Sequence, residues 1–165
     1  MPFAKKPQVF GAKINELTLG TGDKATVLGG QNVFNLYTFD APIANRPKIG
    51  IDVSDDPEQP SEGLKEFYAG CETLADRAKK AAGVAEADFV CIRFDLADPN
   101  GANKSIEDCV ADAKAVAEAI DKPLVVAGCK NSEKDADLFG KISEALQGKN
   151  IMVLSAKEEN YKGVA

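Results

Sequence analysis

The feature that most constrains this chain is the run from Asp88 to Asn131, where two apolar strands flank one amphipathic helix and each empties into a polar loop. The first strand, Phe89-Val90-Cys91-Ile92-Arg93-Phe94, exits into Asp95-Leu96-Ala97-Asp98-Pro99-Asn100-Gly101. The second, Leu124-Val125-Val126-Ala127, exits into Gly128-Cys129-Lys130-Asn131. Strands apolar on both faces belong in a parallel sheet covered by helices and joined by right-handed crossovers. Such a sheet gathers its strand exits along one carboxyl edge, where ligands bind in open α/β sheets and in barrels alike.

The same alternation extends on both sides of that run. Lys48-Ile49-Gly50-Ile51-Asp52-Val53 predicts a strand whose exit, Ser54-Asp55-Asp56-Pro57-Glu58-Gln59-Pro60, is acidic. A helical turn follows over 64–69, then a helix from Thr73 to Ala82 stopped by Gly83. Ser105 and Asp108 form a capping-box-like pair, and Ile106, Cys109, Val110, Ala113, Val116, Ala117 and Ile120 line one helical face ending before Pro123. A third helix has Ser132 as its cap, with Ala136, Phe139, Ile142, Ala145 and Leu146 toward the core and Gly148 as its stop. Ile151-Met152-Val153-Leu154 makes a fourth strand, and Asn160 to Ala165 begins an element the chain does not finish.

Before the division at Asn45 to Lys48 the pattern differs. Ala12 to Leu19 alternates imperfectly, Gly20-Thr21-Gly22-Asp23 is a turn, and Ala25 to Gly29 returns, which is a hairpin signature. The glycines there lack the spacing and context of a dinucleotide fingerprint, and no Walker A pattern occurs. Residues 1–45 are thus expected to form an N-terminal hairpin extension. Residues 46–165, with about four βα units, suit an open doubly wound sheet or half of an eight-stranded (β/α)8 TIM barrel. The unfinished last segment favours an α/β fold that is a partial barrel.

Composition narrows the function. A net charge of −6 with Lys and Arg scattered among acids disfavours a nucleic-acid or anionic-membrane partner. No apolar run nears the ~20 residues of a membrane helix, and the amino terminus lacks the apolar core of a signal peptide, so a cytoplasmic location is expected. The absence of histidine removes the commonest general base and transition-metal ligand. Cys71, Cys91, Cys109 and Cys129 are too dispersed for a cluster or zinc motif. No catalytic residue and no metal site are assigned. Cys91 and Cys109 are expected to pack as small hydrophobes. Asp52, Asp55, Asp56 and Glu58 are taken as a solvated or partner-facing loop rather than a magnesium site.

Taken in order, Thr18-Leu19-Gly20-Thr21-Gly22, Val27-Leu28-Gly29-Gly30-Gln31-Asn32, Asp98-Pro99-Asn100-Gly101, Gly128 to Asp135, Gly148-Lys149-Asn150 and Lys157 to Lys162 carry a resemblance. They resemble the amino-terminal half of the small (delta) subunit of the corrinoid iron-sulfur protein of acetyl-CoA synthase/decarbonylase. The resemblance covers nearly the whole chain, and its specificity lies in the order and spacing of motifs that are individually weak.

It implies a TIM barrel that pairs with a large corrinoid iron-sulfur subunit, the two sharing a corrinoid, with the 4Fe-4S cluster on the partner. The implied role is that of a methyl-group carrier between a methyl-tetrahydropterin:corrinoid methyltransferase and acetyl-CoA synthase in the reductive acetyl-CoA pathway. A chain without histidine cannot supply an imidazole axial ligand, and dispersed cysteines supply no cluster; both fit one wall of such a site. Half a barrel leaves an exposed sheet edge, so either the chain is part of a longer one or the other half comes from elsewhere, and alone it is expected to aggregate or dimerise.

The strand exits nominate Asp98, Asn100, Gly128, Cys129, Asn131 and Ser155 as corrinoid-contacting residues, with polar side chains toward the amide arms and Gly128 permitting close backbone approach. Asp95 is a second-choice contact. Asp98 to Gly101 is also a good turn in its own right, Asn131 or Ser132 also suits a helix cap, and Cys129 also suits packing. Two other classes remain open: a pterin-binding methyltransferase barrel, and a complete doubly wound cofactor-binding module.

Overall fold

A computed structural model describes residues 3–4, 6–33, 41–58 and 61–164. Two sheets are present among them. β1 (Leu17–Leu19) and β2 (Thr26–Leu28) pair antiparallel around a 3-10 turn at Gly22–Lys24. The hairpin is therefore shorter than the sequence suggests, because its expected first half, from Ala12, lies outside the ladder. β3 (Gly50–Ser54), β4 (Phe89–Arg93), β5 (Leu124–Ala127) and β6 (Met152–Leu154) form one parallel sheet in the order β3-β4-β5-β6.

The helices are α1 (Glu62–Phe67), α2 (Leu74–Ala82), α3 (Ile106–Ala119), α4 (Ser132–Ala145) and α5 (Tyr161–Val164). Local chemistry explains their starts. Thr73 and Asp76 close a reciprocal capping box on α2, and the Ser105 side chain accepts from Asp108 N–H at the start of α3. Asn131, not Ser132, caps α4: its side chain accepts from Lys134 N–H, and Ser132 becomes the first helical residue. α2 packs on α3, α3 on α4 and α4 on α5.

One face of the sheet meets those helices. Val53, Val90, Ile92, Leu124 and Val126 join Ala78, Cys109, Val116, Leu138, Phe139 and Ile142 in a single buried cluster. By alternation Asp52, Ser54, Cys91, Arg93, Ala127 and Leu154 lie on the opposite face. The expectation of strands apolar on both faces needs correction for β3, whose second face carries Gly50, Asp52 and Ser54. Gly50 is required there because the Phe89 ring lies across it, 2.1 Å from where a Cβ would stand.

The hairpin docks at the amino edge of the sheet. Gly20 N–H donates to Asn150 O (2.8 Å), and the Asn150 side-chain amide donates to Thr18 O (2.7 Å) and Gly20 O (3.0 Å). Gly20, at φ +80°, sits against Pro123, which precedes β5. This places β1 and β2 at the end of the sheet opposite the carboxyl edge. The four described parallel strands form an open sheet that does not close into a ring, and no helix among the described residues is long and apolar enough to cross a membrane.

Candidate functional site at the carboxyl edge

The exits of β3 and β4 are tied together by charge. Arg93 donates through Nε to Asp95 Oδ2 (2.6 Å) and pairs with Asp52 across the strand boundary. Ser54 Oγ donates to the same Asp95 oxygen (2.5 Å). The Asp95 hydrogen bond, and then the charges of Asp52 and Asp95 against the cost of burial, hold the Arg93 guanidinium above its ordinary pKa. This group fixes the side chains that the second face of β3 and β4 presents at the edge.

Asp55 is not a solvated loop acid. It is only 5% exposed. Its carboxylate accepts from Leu96 N–H (3.0 Å) and from Lys104 Nζ (3.3 Å), and Lys104 also pairs with Asp112. Burial pushes the Asp55 carboxyl above the usual range, opposed by the Leu96 amide and Lys104. Burial works against the Lys104 charge, but Asp112 and Asp55 overcome it and raise its pKa. Asp52 is likewise engaged, with Arg93, so of the expected solvated acids Glu58 alone is exposed without a carboxylate role in the edge. Sequence composition could not separate these acids, because their cations, Arg93 and Lys104, lie on the next βα unit.

The β5 exit is organised by a buried acid the sequence did not single out. Asp135, 4% exposed on the first turns of α4, accepts from Cys129 N–H (2.8 Å), Cys129 Sγ–H (3.3 Å) and Lys130 N–H (3.0 Å). A Cβ at residue 128 would stand 2.1 Å from Asp135 Oδ1. Gly128 therefore makes room for this carboxylate, and Cys129 is buried against it. The Asn131 side-chain oxygen is occupied by the α4 cap (3.0 Å). Asp98 Oδ1 accepts from Asn100 N–H (2.9 Å) and from the Asn100 amide (3.2 Å), an Asx turn that leaves Asn100 exposed. Ser155 is exposed beyond β6.

Six nominated residues thus lie on one edge, with different freedom. Asn100 and Ser155 present side chains to the outside, Asp98 is half-buried, and Gly128, Cys129 and Asn131 are engaged within the β5–α4 junction. Two residues escaped notice, Tyr68 and Arg77, both buried beside the β3 exit. The signal for Arg77 was available: it shares with Leu74, Ala78 and Ala81 the buried face of α2, where a lone guanidinium is out of place. Among the described residues no three of Cys, Asp and Glu converge as metal ligands.

Fold and site together define a parallel βα-repeat scaffold with a rigid, charge-paired carboxyl edge. The chain belongs to the CO dehydrogenase/acetyl-CoA synthase delta subunit family, whose sequence model it matches over residues 16–165. It is similar to the acetyl-CoA decarbonylase/synthase complex subunit delta of Archaeoglobus fulgidus, 30% identical over 162 residues, covering 93% of this chain and 36% of that protein. The corresponding subunit of Methanothermobacter thermautotrophicus is 32% identical over 160 residues, covering 94% and 41%. Subunit delta 1 of Methanosarcina thermophila is 28% identical over 138 residues, covering 83% and 31%. The chain therefore spans well under half the length of these relatives.

Proposed function

We propose that this chain forms one wall of a corrinoid site, as part of the small subunit of a corrinoid iron-sulfur protein. In this role it carries methyl groups between a methyl-tetrahydropterin:corrinoid methyltransferase and acetyl-CoA synthase. The observation that carries the proposal is the family membership over residues 16–165 combined with a hairpin docked at the end of the sheet opposite the carboxyl edge. In support of a barrel arc, the four parallel strands run in chain order without the reversal that marks a doubly wound sheet, and successive helices pack side by side on one face. The remaining strands of such a barrel would cover the second face, where Asp52, Cys91 and Arg93 stand.

The residues present suit a corrinoid shared with another subunit. The exposed amide of Asn100 and hydroxyl of Ser155 can hydrogen-bond amide arms at its rim, and the half-buried Asp98 holds the Asn100 turn in place. Nothing on this edge offers imidazole, since the chain has no histidine, so the axial chemistry and the 4Fe-4S cluster belong to the large partner in this proposal. A corrinoid, when bound, supplies the cobalt centre that takes up and releases the methyl group. The chain's own contribution is positional: its paired charges at Arg93, Asp95 and Lys104 fix the loops so that the wall does not reorganise between the two methyl-transfer partners.

Co-purification tests this directly. The tagged chain is expected to bring down a red, cobalt-containing larger polypeptide from an anaerobic extract. Binding of methyl-tetrahydrofolate by the isolated chain, with no corrinoid protein retained, would instead assign it to the pterin-binding methyltransferase barrels.

A further inference from the structure

Beside the β3 exit, between the sheet edge, α1 and α2, lies a cavity of about 200 Å³ lined by Asp52, Asp56, Leu64, Tyr68, Arg77 and Arg93 among others. Tyr68 and Arg77 are 8% and 7% exposed. The Tyr68 hydroxyl and Arg77 Nε are both buried without a hydrogen-bond partner among the described residues. Among the described residues the sole side-chain hydrogen bond of Arg77 runs from Nη2 to the main-chain oxygen of Asp55 (3.0 Å), and no ion pair joins Arg77 to a described carboxylate. Two buried donors left open in one cavity are costly to a fold, since each has given up water without replacement. Both residues line this cavity, and an acceptor oxygen bound in it would supply what each lacks after a small side-chain rotation.

The rest of the lining selects among acceptors. Arg93 is already matched by Asp52 and Asp95, so it adds no free positive charge. Asp56, also in the lining, uses Oδ1 to accept from Glu58 N–H, and its Oδ2 has no protein donor among the described residues. Within the lining the carboxylates of Asp52 and Asp56 balance the guanidiniums of Arg77 and Arg93, so the cavity as a whole calls for a ligand without net charge. A carboxylate would meet those acids, and an ammonium would meet the buried donors.

We propose that this cavity receives a neutral primary carboxamide, its oxygen accepting from Arg77 Nε and the Tyr68 hydroxyl and its NH2 group donating toward Asp56. The inference rests on the cavity's own groups. The amide arms of a corrinoid are one source of that chemistry, and these would deepen the proposed function; the side chain of a partner's Asn or Gln is the other.

The test is a titration of the 15N-labelled chain with propionamide, propionate and propylammonium, following the Arg77 Nε–H resonance. Propionamide is expected to give a saturable shift, with the two ions at least about tenfold weaker, as loss of one charge-assisted bond implies. Tyr68→Phe is expected to weaken propionamide by about the same factor while raising the thermal midpoint of the unliganded chain, because it deletes an orphaned hydroxyl. Arg77→Lys keeps the charge, removes the Nε donor and is expected to weaken propionamide at least about tenfold, read from the backbone amide resonances of Leu64, Tyr68 and Arg93 in the lining. Absence of any shift with propionamide, stronger binding of propionate, or a Tyr68→Phe variant that melts earlier with its ligand response intact overturns the proposal.

Competition against bound propionamide by dicyanocobinamide or by a glutamine-bearing tetrapeptide identifies the source. Competition by the peptide alone upholds the carboxamide site and counts against the corrinoid as its occupant. Failure of both competitors overturns the site.

Discussion

Replacing Gly128 by alanine tests the architecture of the β5 exit. The new methyl carbon would stand 2.1 Å from Asp135 Oδ1 and 2.3 Å from its Cγ. Real Cβ contacts do not come so near, and Asp135 sits on a packed helix with no open space behind it, at 4% exposure. The carboxylate must withdraw and release Cys129 N–H and Lys130 N–H, which it holds at 2.8 and 3.0 Å. Hydrogen bonds to a charged acceptor contribute roughly 1.5–3 kcal/mol each, so losing two, with partial rebonding of the more exposed Lys130, costs about 3–5 kcal/mol. That is a large share of the ~5–15 kcal/mol that holds a domain together.

Urea denaturation of the single variants and of the Gly128→Ala/Asp135→Ala double variant measures it. With Asp135 already shortened, the added methyl meets no carboxylate and should be nearly neutral, giving a coupling energy above about 1 kcal/mol. A Gly128→Ala cost under about 1 kcal/mol, or the same cost in both backgrounds, would refute the claim that this glycine exists to seat Asp135.

Other consequences follow from the same geometry. Lys104→Met strips Asp55 of its cation and should destabilise by about 2–4 kcal/mol at neutral pH, since an unpaired buried charge remains. The Asp55 carboxyl already lies above its ordinary value in the folded state, chiefly through burial. Its ionisation therefore disfavours folding as pH rises through the raised folded value, and the variant should recover part of its loss as pH falls toward the ordinary aspartate value near 3.9; denaturant midpoints across pH 4–8 check this, and a loss that grows on acidification contradicts it. Burial pushes the Cys91 and Cys109 thiols up to about 12, so neither should react with iodoacetamide near neutral pH in the native chain, as intact-mass and peptide mapping will show. Asn150→Ala removes both side-chain bonds to the hairpin and should cost about 1–2 kcal/mol, with faster amide exchange confined to β1 and β2.

What the sequence made legible divides along a physical line. Strands and helices were visible because their signals are local: Phe89 to Ile92 is an unbroken apolar run, and Ser105 with Asp108 marks a helix start within four residues. The capping residue of α4 was misplaced by one because Asn131 and Ser132 both have the chemistry, and only backbone geometry chooses. The edge residues Asp98, Asn100 and Ser155 were found by a topological rule that needs no contacts. Asp55, Asp135, Arg77 and Tyr68 were not found, because each is defined by partners or by the lack of them. Asp55 meets Lys104 from 49 residues away, and charge counting along the chain treats such an acid like any exposed one. Gly128 was nominated for ligand approach, whereas the atom that occupies its missing Cβ space belongs to Asp135.

The most direct test of the proposed role is sedimentation velocity of this chain mixed with a corrinoid-loaded large subunit, recorded at a corrinoid absorbance band. Co-sedimentation is expected, lost when Asn100 and Ser155 on the carboxyl edge are changed to arginine and kept when Thr21 at the amino edge is changed in the same way. A corrinoid boundary that ignores the chain, or one that Thr21→Arg alone abolishes, contradicts it.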